Sequence, residues 1–164
     1  MAEDLSIDIE KLVGDKIEKG VVGSTLILEN RKLGDESVSQ LSNLEVLSEV
    51  ITLDLGENNI SDTGVHRLVN SPYIENLKTL NLKSNNLTEE GAKFIAESPK
   101  LKDLEHLILK FNRIGEAGAN YLAQSETLTN LRTLDLFRNR IGDAGVKAIK
   151  KSKNFRGVSR MRLD

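Results

Sequence analysis

The sequence predicts an α/β solenoid with a parallel β-sheet on its concave face and α-helices on its convex face. Three observations point to it: a regular repeat with a period of about 27 residues, two apolar periodicities inside each repeat, and the inability of one such unit to bury its own apolar residues. The period is constant along Leu28, Leu55, Leu82, Leu109, Leu136 and Leu163. Paired strands lie about 4.8 Å apart whereas neighbouring helices need about 10 Å, so the helical side must form the longer arc.

Each repeat is predicted to begin with a short strand. Leu80, Asn81 and Leu82 alternate apolar and polar side chains, which is typical of a strand with one buried face. An apolar residue also stands two positions before each repeated leucine: Leu26, Leu53, Leu80, Leu107, Leu134 and Met161. We expect both apolar columns to face the core and the residues between them to face solvent on the concave side.

A helix is predicted in the second half of each repeat. Ala92, Ile95 and Ala96 recur at spacings of three and four, which places them on one helical face. The helix starts are marked by Ser61 and Thr88 as N-cap residues, and in other repeats by a glycine at the same register: Gly34, Gly115 and Gly142. An acidic residue follows directly in every repeat, where the helix dipole favours negative charge. Pro72 and Pro99 are expected to end two of the helices.

The two ends of the chain depart from the repeat. Residues 1–22 are predicted to be an N-terminal capping segment with a helix around Ile9–Lys19. Residues 23–164 are predicted to form about five repeats plus a terminal strand, the whole chain being one structural domain. In the first repeat Arg31 stands where later repeats carry asparagine, as expected of an atypical terminal unit. At the other end the sixth repeat strand is expected to leave an open sheet edge, which is prone to pair with another chain.

Two further columns recur once per repeat and are interpreted as structural. The asparagine ladder comprises Asn58, Asn85, Asn112 and Asn139. These amides are expected to turn inward and pair with backbone groups of adjacent turns. The glycine column comprises Gly64, Gly91, Gly118 and Gly145. These glycines lie inside predicted helices and do not form a nucleotide-binding loop, so we expect them to permit close packing of helix against loop.

These motifs resemble a known family. The pattern Leu-x-x-Leu-x-Leu-x-x-Asn-x-Ile-Gly-x-x-Gly, read from Leu104 and again from Leu131, resembles the leucine-rich repeat and specifically its ribonuclease-inhibitor-like subclass. The Ser-Pro connections at residues 71–77 and 98–104 are similar to arrays common in bacterial cytosolic proteins. The resemblance covers about residues 23–164 and implies a right-handed leucine-rich-repeat solenoid that binds a partner. Because relatives include regulators that speed GTP hydrolysis, it also leaves regulation of a GTPase as an alternative.

Composition excludes several classes of protein. The chain has no cysteine and therefore no disulfide framework, and no apolar stretch is long enough to form a transmembrane helix. The acidic opening Met-Ala-Glu-Asp-Leu lacks the features of a secretory signal. We therefore expect a cytoplasmic protein with no membrane partner, and secretion by a non-cleaved route stays open. A sequence pI near 5.8 argues against nucleic acid as the partner.

Candidate catalytic chemistry is sparse. The two histidines, His66 and His106, have no second histidine or cysteine at metal-ligand spacing. No serine or acid stands in a recognisable nucleophile motif. We therefore expect no enzymatic activity, no metal and no cofactor. His66 is expected on the outward face of its helix, and His106 on the concave face, where most other strands carry threonine.

The concave face carries the predicted partner site. Solvated sheet positions favour polar residues, so the apolar Ile108, Phe111 and Phe137 stand out there. The predicted partner-binding residues are Lys83, His106, Ile108, Lys110, Phe111, Phe137 and Arg138. An apolar centre with a charged rim is typical of a protein interface. In the alternative interpretation the two phenylalanine rings fold against the loops that follow the strands and only cover the rim of the concave face.

Charge is polarised along the chain. Residues 1–50 hold 11 acids and 5 bases, whereas residues 129–164 hold 3 acids and 10 bases. Since position in a solenoid sequence is position along its axis, one end is acidic and the other basic. The main hypothesis is therefore a scaffold that binds an acidic protein or peptide through the concave face of its C-terminal half. The alternative is a structural module that assembles head-to-tail through its acidic and basic ends.

Overall fold

The computed structural model describes residues 8–19 and 23–164 and contains a single layered array of strands and helices. Residues 1–7 and 20–22 of the predicted capping segment lie outside the described residues. The strands are β1 (Ile17–Lys19), β2 (Ser24–Ile27), β3 (Val50–Asp54), β4 (Thr79–Asn81), β5 (His106–Ile108), β6 (Thr133–Asp135) and β7 (Arg160–Arg162). The helices are α1 (Ile9–Lys16), α2 (Gly34–Leu41), α3 (Asp62–Val69), α4 (Glu89–Glu97), α5 (Gly115–Ala123) and α6 (Gly142–Lys151). Short 3-10 helices occupy Glu45–Glu49 and Pro99–Leu101.

The sheet follows the order of the sequence, β1 to β7, and is parallel from β2 onward. Strands pair at the repeat distance: Thr52 lies beside Thr79, and Thr79 lies beside His106. The register shifts once, between Ser24 and Thr25. The predicted parallel sheet alternating with helices is therefore confirmed, and one repeat period sets the strand pairing without a shift from β3 to β7.

The N-terminal segment corrects one prediction. The helix expected over Ile9–Lys19 ends at Lys16, and Ile17–Lys19 form a strand antiparallel to β2. The physical reason is the edge of the sheet, since without β1 one side of β2 would present unpaired backbone groups. The predicted helix was too long because a strand of three residues is too short for its alternation of apolar and polar residues to be distinguished from the pattern of a helix.

The core lies between the sheet and the helices. The leucines of both predicted apolar columns from β2 to β6 have no exposed surface. Val65 and Leu68 of α3, and Ile95 of α4, bury the apolar face of the helices against them. Met161 and Leu163, in the β7 repeat, are partly buried against the same cluster. One continuous core thus runs through the repeats, and each repeat depends on its neighbours for burial.

Helix starts come in two chemical forms. Ser61 and Thr88 have extended backbone, and their hydroxyl oxygens accept bonds from the N–H of Thr63 and of Glu90. The glycine starts Gly34, Gly115 and Gly142 have φ of 61°, 66° and 63°, a left-handed conformation that glycine adopts without steric cost. The two forms meet the same need, which is to turn the chain out of the loop and into the helix.

Residues at the helix starts also make hydrogen bonds between successive repeats. The Asp35 carboxylate accepts hydrogen bonds from the Ser61 N–H and hydroxyl, and the Asp62 carboxylate accepts them from the Thr88 N–H and hydroxyl. The next two acids, Glu89 and Glu116, are followed by repeats whose helix begins with glycine. An acid expected to serve its own helix dipole therefore also binds the following repeat wherever that repeat offers a hydroxyl.

A serine column, which was not predicted from the sequence, joins the helix ends. The hydroxyls of Ser98, Ser125 and Ser152 donate to the carbonyls of Val69, Ala96 and Ala123, at 2.7, 2.6 and 2.7 Å. Ser71 makes the corresponding bond to Ser42 at 2.6 Å. The signal was present as serine at the same register in four consecutive repeats, two of which were interpreted only as Ser-Pro turns.

The glycine column lies where neighbouring helices approach each other. A Cβ on Gly118 would meet the Ile114 side chain, and it would lie 3.1 Å from both the Ala92 Cβ and the Glu89 Cα of α4. The close contact is therefore with the preceding helix as well as with the loop, to which the prediction was restricted. These glycines set the distance between helices of successive repeats.

Replacing Gly118 by alanine is expected to lower the free energy of unfolding by a net of about 1 kcal/mol. Overpacking costs about 1–3 kcal/mol, and the better helix propensity of alanine returns up to about 1 kcal/mol. Urea denaturation measures the difference. The control is Gly157→Ala, whose added methyl group meets nothing within 4 Å. If Gly118→Ala is more stable than the parent chain, the helices are not in close contact there.

Candidate protein-binding site

The exposed face of the sheet is formed by three columns of side chains, and we call it the concave face. The first column is Thr25, Thr52, Thr79, His106, Thr133 and Arg160, and the second is Ile27, Asp54, Asn81, Ile108, Asp135 and Arg162. The third is Glu29, Gly56, Lys83, Lys110 and Phe137, just beyond the strands. All of them flank buried leucines because side chains alternate across a strand.

The asparagine ladder holds the loops that follow the strands. Asn85 Oδ1 accepts from the N–H of Asn58 and of Ile60, while its Nδ2 donates to the carbonyls of Leu55 and Leu82. Asn58, Asn112 and Asn139 make corresponding contacts one repeat away, and all four side chains are buried. Asp164 Oδ1 and Oδ2 accept from the N–H of Asn139 and of Ile141. The ladder thus fixes the loop that carries the rim of the concave face.

The rim residues adopt a left-handed backbone in every described repeat loop. Asn30, Glu57, Ser84, Phe111 and Arg138 occupy one register with φ between 53° and 60°. Asparagine tolerates this conformation, whereas a bulky residue such as phenylalanine is uncommon there. The fold imposes the conformation, so the unusual feature is that Phe111 occupies it.

Phe111 and Phe137 form the centre of what we call the aromatic–cationic cluster, which comprises Lys110, Phe111, Phe137, Arg138 and Arg162. The two rings meet edge to face with centroids 5.9 Å apart. The Arg138 guanidinium lies 5.7 Å from the Phe111 centroid and 5.5 Å from that of Phe137. Arg162 lies 4.1 Å from the Phe137 centroid, and the Lys110 ammonium lies 5.9 Å from that of Phe111. Such cation–ring contacts hold the charges beside an apolar surface.

Exposure differs among the predicted apolar residues. Phe111 is 42% exposed, whereas Ile108 and Phe137 are only partly exposed. Ile27, which was not among the predicted site residues, is 44% exposed. The signal was available, because Ile27 and Ile108 share one register. On the concave side of the C-terminal half, the exposed apolar surface is thus centred on Phe111, at the rim.

Two depressions adjoin the aromatic–cationic cluster. A groove of about 480 Å³ crosses the sheet between His106, Ile108, Lys110, Asp135 and Arg162. A cleft of about 600 Å³ lies at the rim, where Phe111 and Phe137 are flanked by Arg113, Arg138 and Arg140. His106 Nδ1 lies 3.0 Å from the Thr133 hydroxyl, which orients the imidazole at the floor of the groove. The predicted site residues all lie around these two depressions. Among the charged or basic ones, only Lys83 is paired with a carboxylate of the described residues.

Lys83 lines the edge of the groove but is already paired. Its ammonium contacts the carboxylates of Glu29, at 2.5 Å, and of Glu57, at 3.8 Å. The lysine stem lies against Gly56, where an added Cβ would be 2.9 Å from the Lys83 Cγ and Cε. Because of the hydrogen bond to Lys83, the pKa of Glu29 lies below its usual range, and the same bond raises the pKa of Lys83. The charge of Lys83 is thus engaged by carboxylates of the two preceding repeats.

The pair predicts a pH dependence that can be measured at Glu29. A lowered carboxylate pKa means that the ion pair is formed above the ordinary glutamate range and is lost as pH falls through the lowered value. NMR titration should show the Glu29 pKa returning to its ordinary value in Lys83→Met. Lys100→Met is the matched control, because Lys100 instead lowers the pKa of Glu75. An unchanged Glu29 pKa in Lys83→Met would show that the hydrogen bond is not formed in solution.

The helical face carries a separate set of aromatic residues. His66 is exposed and stacks on Phe94, with ring centroids 4.4 Å apart. The Lys93 ammonium lies 5.5 Å from the ring centroid of the exposed Tyr121.

Across residues 8–19 and 23–164 no group of three or more histidine, cysteine or acidic side chains could hold a metal ion. In the same ranges no helix has the length and apolarity needed to cross a membrane.

Comparisons with known proteins bear on the repeats. A family model described as "Leucine Rich repeat" matches four consecutive segments, residues 50–69, 73–96, 100–123 and 127–150. Together the matched segments cover more than half of the chain. A search of curated proteins found no match. Each matched segment contains one strand and all or most of the helix that follows it, so the match agrees with the observed repeats.

Proposed function

The chain belongs to the leucine-rich-repeat family, a family of protein-interaction modules, and we propose that it binds a protein or peptide through the concave face of its C-terminal half. The proposed role is that of a non-enzymatic scaffold. The full α-helix in each complete repeat supports assignment to the ribonuclease-inhibitor-like subclass.

The observation that carries the proposal is the aromatic–cationic cluster. Phe111 is 42% exposed in a left-handed backbone that favours smaller residues, so neither burial nor loop geometry accounts for it. Aromatic residues, phenylalanine among them, and arginine are enriched at protein interfaces relative to the rest of the surface. The interpretation in which both rings only cover the loops fits the partly buried Phe137 better than Phe111.

Charge supports an acidic partner. Lys110, Arg138, Arg160 and Arg162 have no carboxylate within 4 Å among residues 8–19 and 23–164. A partner that brings carboxylates would gain charge-assisted hydrogen bonds on a surface that also offers apolar contact. The acidic N-terminal half, with Lys83 already paired, provides no such surface.

The test is selection from a random displayed peptide library on the intact chain, followed by NMR mapping of one enriched peptide. We expect enrichment of acidic peptides with an apolar residue, and amide shifts concentrated in β5, β6 and the loops after them. Affinity should fall as salt is added, because exposed charge pairs are screened. Shifts concentrated on α3 to α5, or no enriched peptide, would contradict the proposal.

Self-association is a second candidate function, favoured by the charge polarity of the chain. Residues 1–50 have a net charge of −6 and residues 129–164 a net charge of +7. An acidic end that meets a basic end makes a heterologous contact, which extends into rings or filaments. Light scattering with mass resolution distinguishes the two functions. A scaffold keeps a mass of 18.2 kDa as concentration rises, whereas a self-assembling module grows with concentration and shrinks with salt.

A further inference from the structure

The ion pairs of Lys83 have no counterpart one repeat later. Lys83 and Lys110 occupy the same register of the concave face in successive repeats. The partners of Lys83 are Glu29 and Glu57, and the residues one repeat after these are Gly56 and Ser84. Lys110 therefore repeats the cation of this arrangement, whereas neither of the two positions that would supply its carboxylates carries an acid.

The surroundings of Lys110 show where a carboxylate would bind. With no acid in place, its ammonium lies 5.9 Å from the Phe111 ring centroid instead. Arg138, at the register of Ser84 two repeats on, lies over both phenylalanine rings. Because the Lys83 stem already covers Gly56, a ligand carboxylate cannot take that position, which leaves the position of Ser84.

From this repeat comparison we propose that the partner supplies the missing acid: a peptide carboxylate binds Lys110 and Arg138 beside Ser84, with a neighbouring apolar side chain on Phe111. This inference rests on the proposed function and makes it more specific. It predicts an acidic residue next to an apolar one in the ligand, because the cations and the ring share one small surface. Lys83, saturated by Glu29 and Glu57, marks the limit of the site.

The test restores the acid within the chain. Ser84→Glu places a carboxylate at the register of Glu57, and the backbone accepts it because Glu57 has φ of 58° and Ser84 of 53°. The introduced carboxylate should compete with the ligand for Lys110. We expect Ser84→Glu to weaken an enriched acidic peptide about tenfold or more, the size of one charge-assisted contact. Ser84→Gln is the matched control and should bind like the parent chain.

A second peptide completes the experiment. Changing the peptide's acid to its amide should weaken binding to the parent chain by a similar factor and should have little further effect on Ser84→Glu. Equal affinity of Ser84→Glu and Ser84→Gln, at unchanged melting temperature, would overturn the inference. If Phe111→Asn still weakens that peptide, the proposed scaffold function stands. If neither substitution matters, or no peptide is enriched, both proposals fail.

Discussion

Replacing Asn112 by alanine is expected to lower the free energy of unfolding by about 3 kcal/mol, the largest stability effect among the substitutions that we propose. Asn112 Oδ1 accepts from the Leu87 N–H at 3.1 Å, and Nδ2 donates to the carbonyls of Leu82 and Leu109 at 2.9 and 2.8 Å. The residue is 5% exposed, so bulk water does not reach these partners in the folded chain. Urea denaturation followed by circular dichroism measures the loss.

The control for this substitution is Asn86→Ala. Asn86 directly follows the buried Asn85 of the ladder, is exposed, and makes no side-chain hydrogen bond to the described chain. Its replacement should change stability by less than about 0.5 kcal/mol. A fully stable Asn112→Ala chain that had lost ligand binding would instead make the ladder part of the binding surface, contrary to our structural interpretation.

Replacing Phe111 by asparagine is expected to weaken ligand binding about 30-fold or more, as for a residue at the centre of an interface. Stability should change little. The loss of the edge-to-face contact with Phe137 costs about 0.5–1.5 kcal/mol, and asparagine offsets part of it because it tolerates the left-handed backbone. The first repeat already carries Asn30 at this register, with φ of 55°. Calorimetric titration with an enriched peptide measures the change in affinity.

Tyr121→Asn provides the comparison on the opposite side of the molecule. Tyr121 is also an exposed aromatic residue with a cation over its ring, but it lies on α5 in the helical layer. It should not alter affinity for the same peptide. Equal effects of the two substitutions would show that the peptide binds any exposed aromatic residue of the chain.

Replacing Phe137 by alanine should also abolish peptide binding. A large fall in the melting temperature of Phe137→Ala would instead assign the Phe137 ring to the core.

Much of the fold was predictable because the same repeat period sets the spacing of residues in the sequence and the pairing of strands in the sheet. Leu53, Leu80 and Leu107 stand one repeat apart and lie side by side in adjacent strands, so a column in the sequence is also a row in the sheet. The inward position of Asn85 was expected for the same reason, since each loop must satisfy the backbone of its neighbour. The exception was β1, which has no repeat to copy and pairs antiparallel.

The candidate site was predictable only as a set of positions. The columns placed Ile108, Phe111 and Phe137 on one face, but the different exposures of the two phenylalanines depend on how each ring packs against neighbouring cations. Lys83 was grouped with the basic rim, whereas its stem crosses Gly56 to reach Glu29, which lies two repeats earlier in the chain. An ion pair between side chains two strands apart joins residues that no local pattern connects.

The sequence by itself determined the solenoid, its repeat registers, its buried leucines and the residues available on each face. It could do so because every repeat has the same short-range geometry, and each helix start is recognisable from local chemistry. Tertiary structure alone decided where α1 ends, that Asp62 bonds to Thr88 of the next repeat, and which cations are paired. These outcomes depend on distances between separate repeats, where small differences decide whether two charged or polar groups meet.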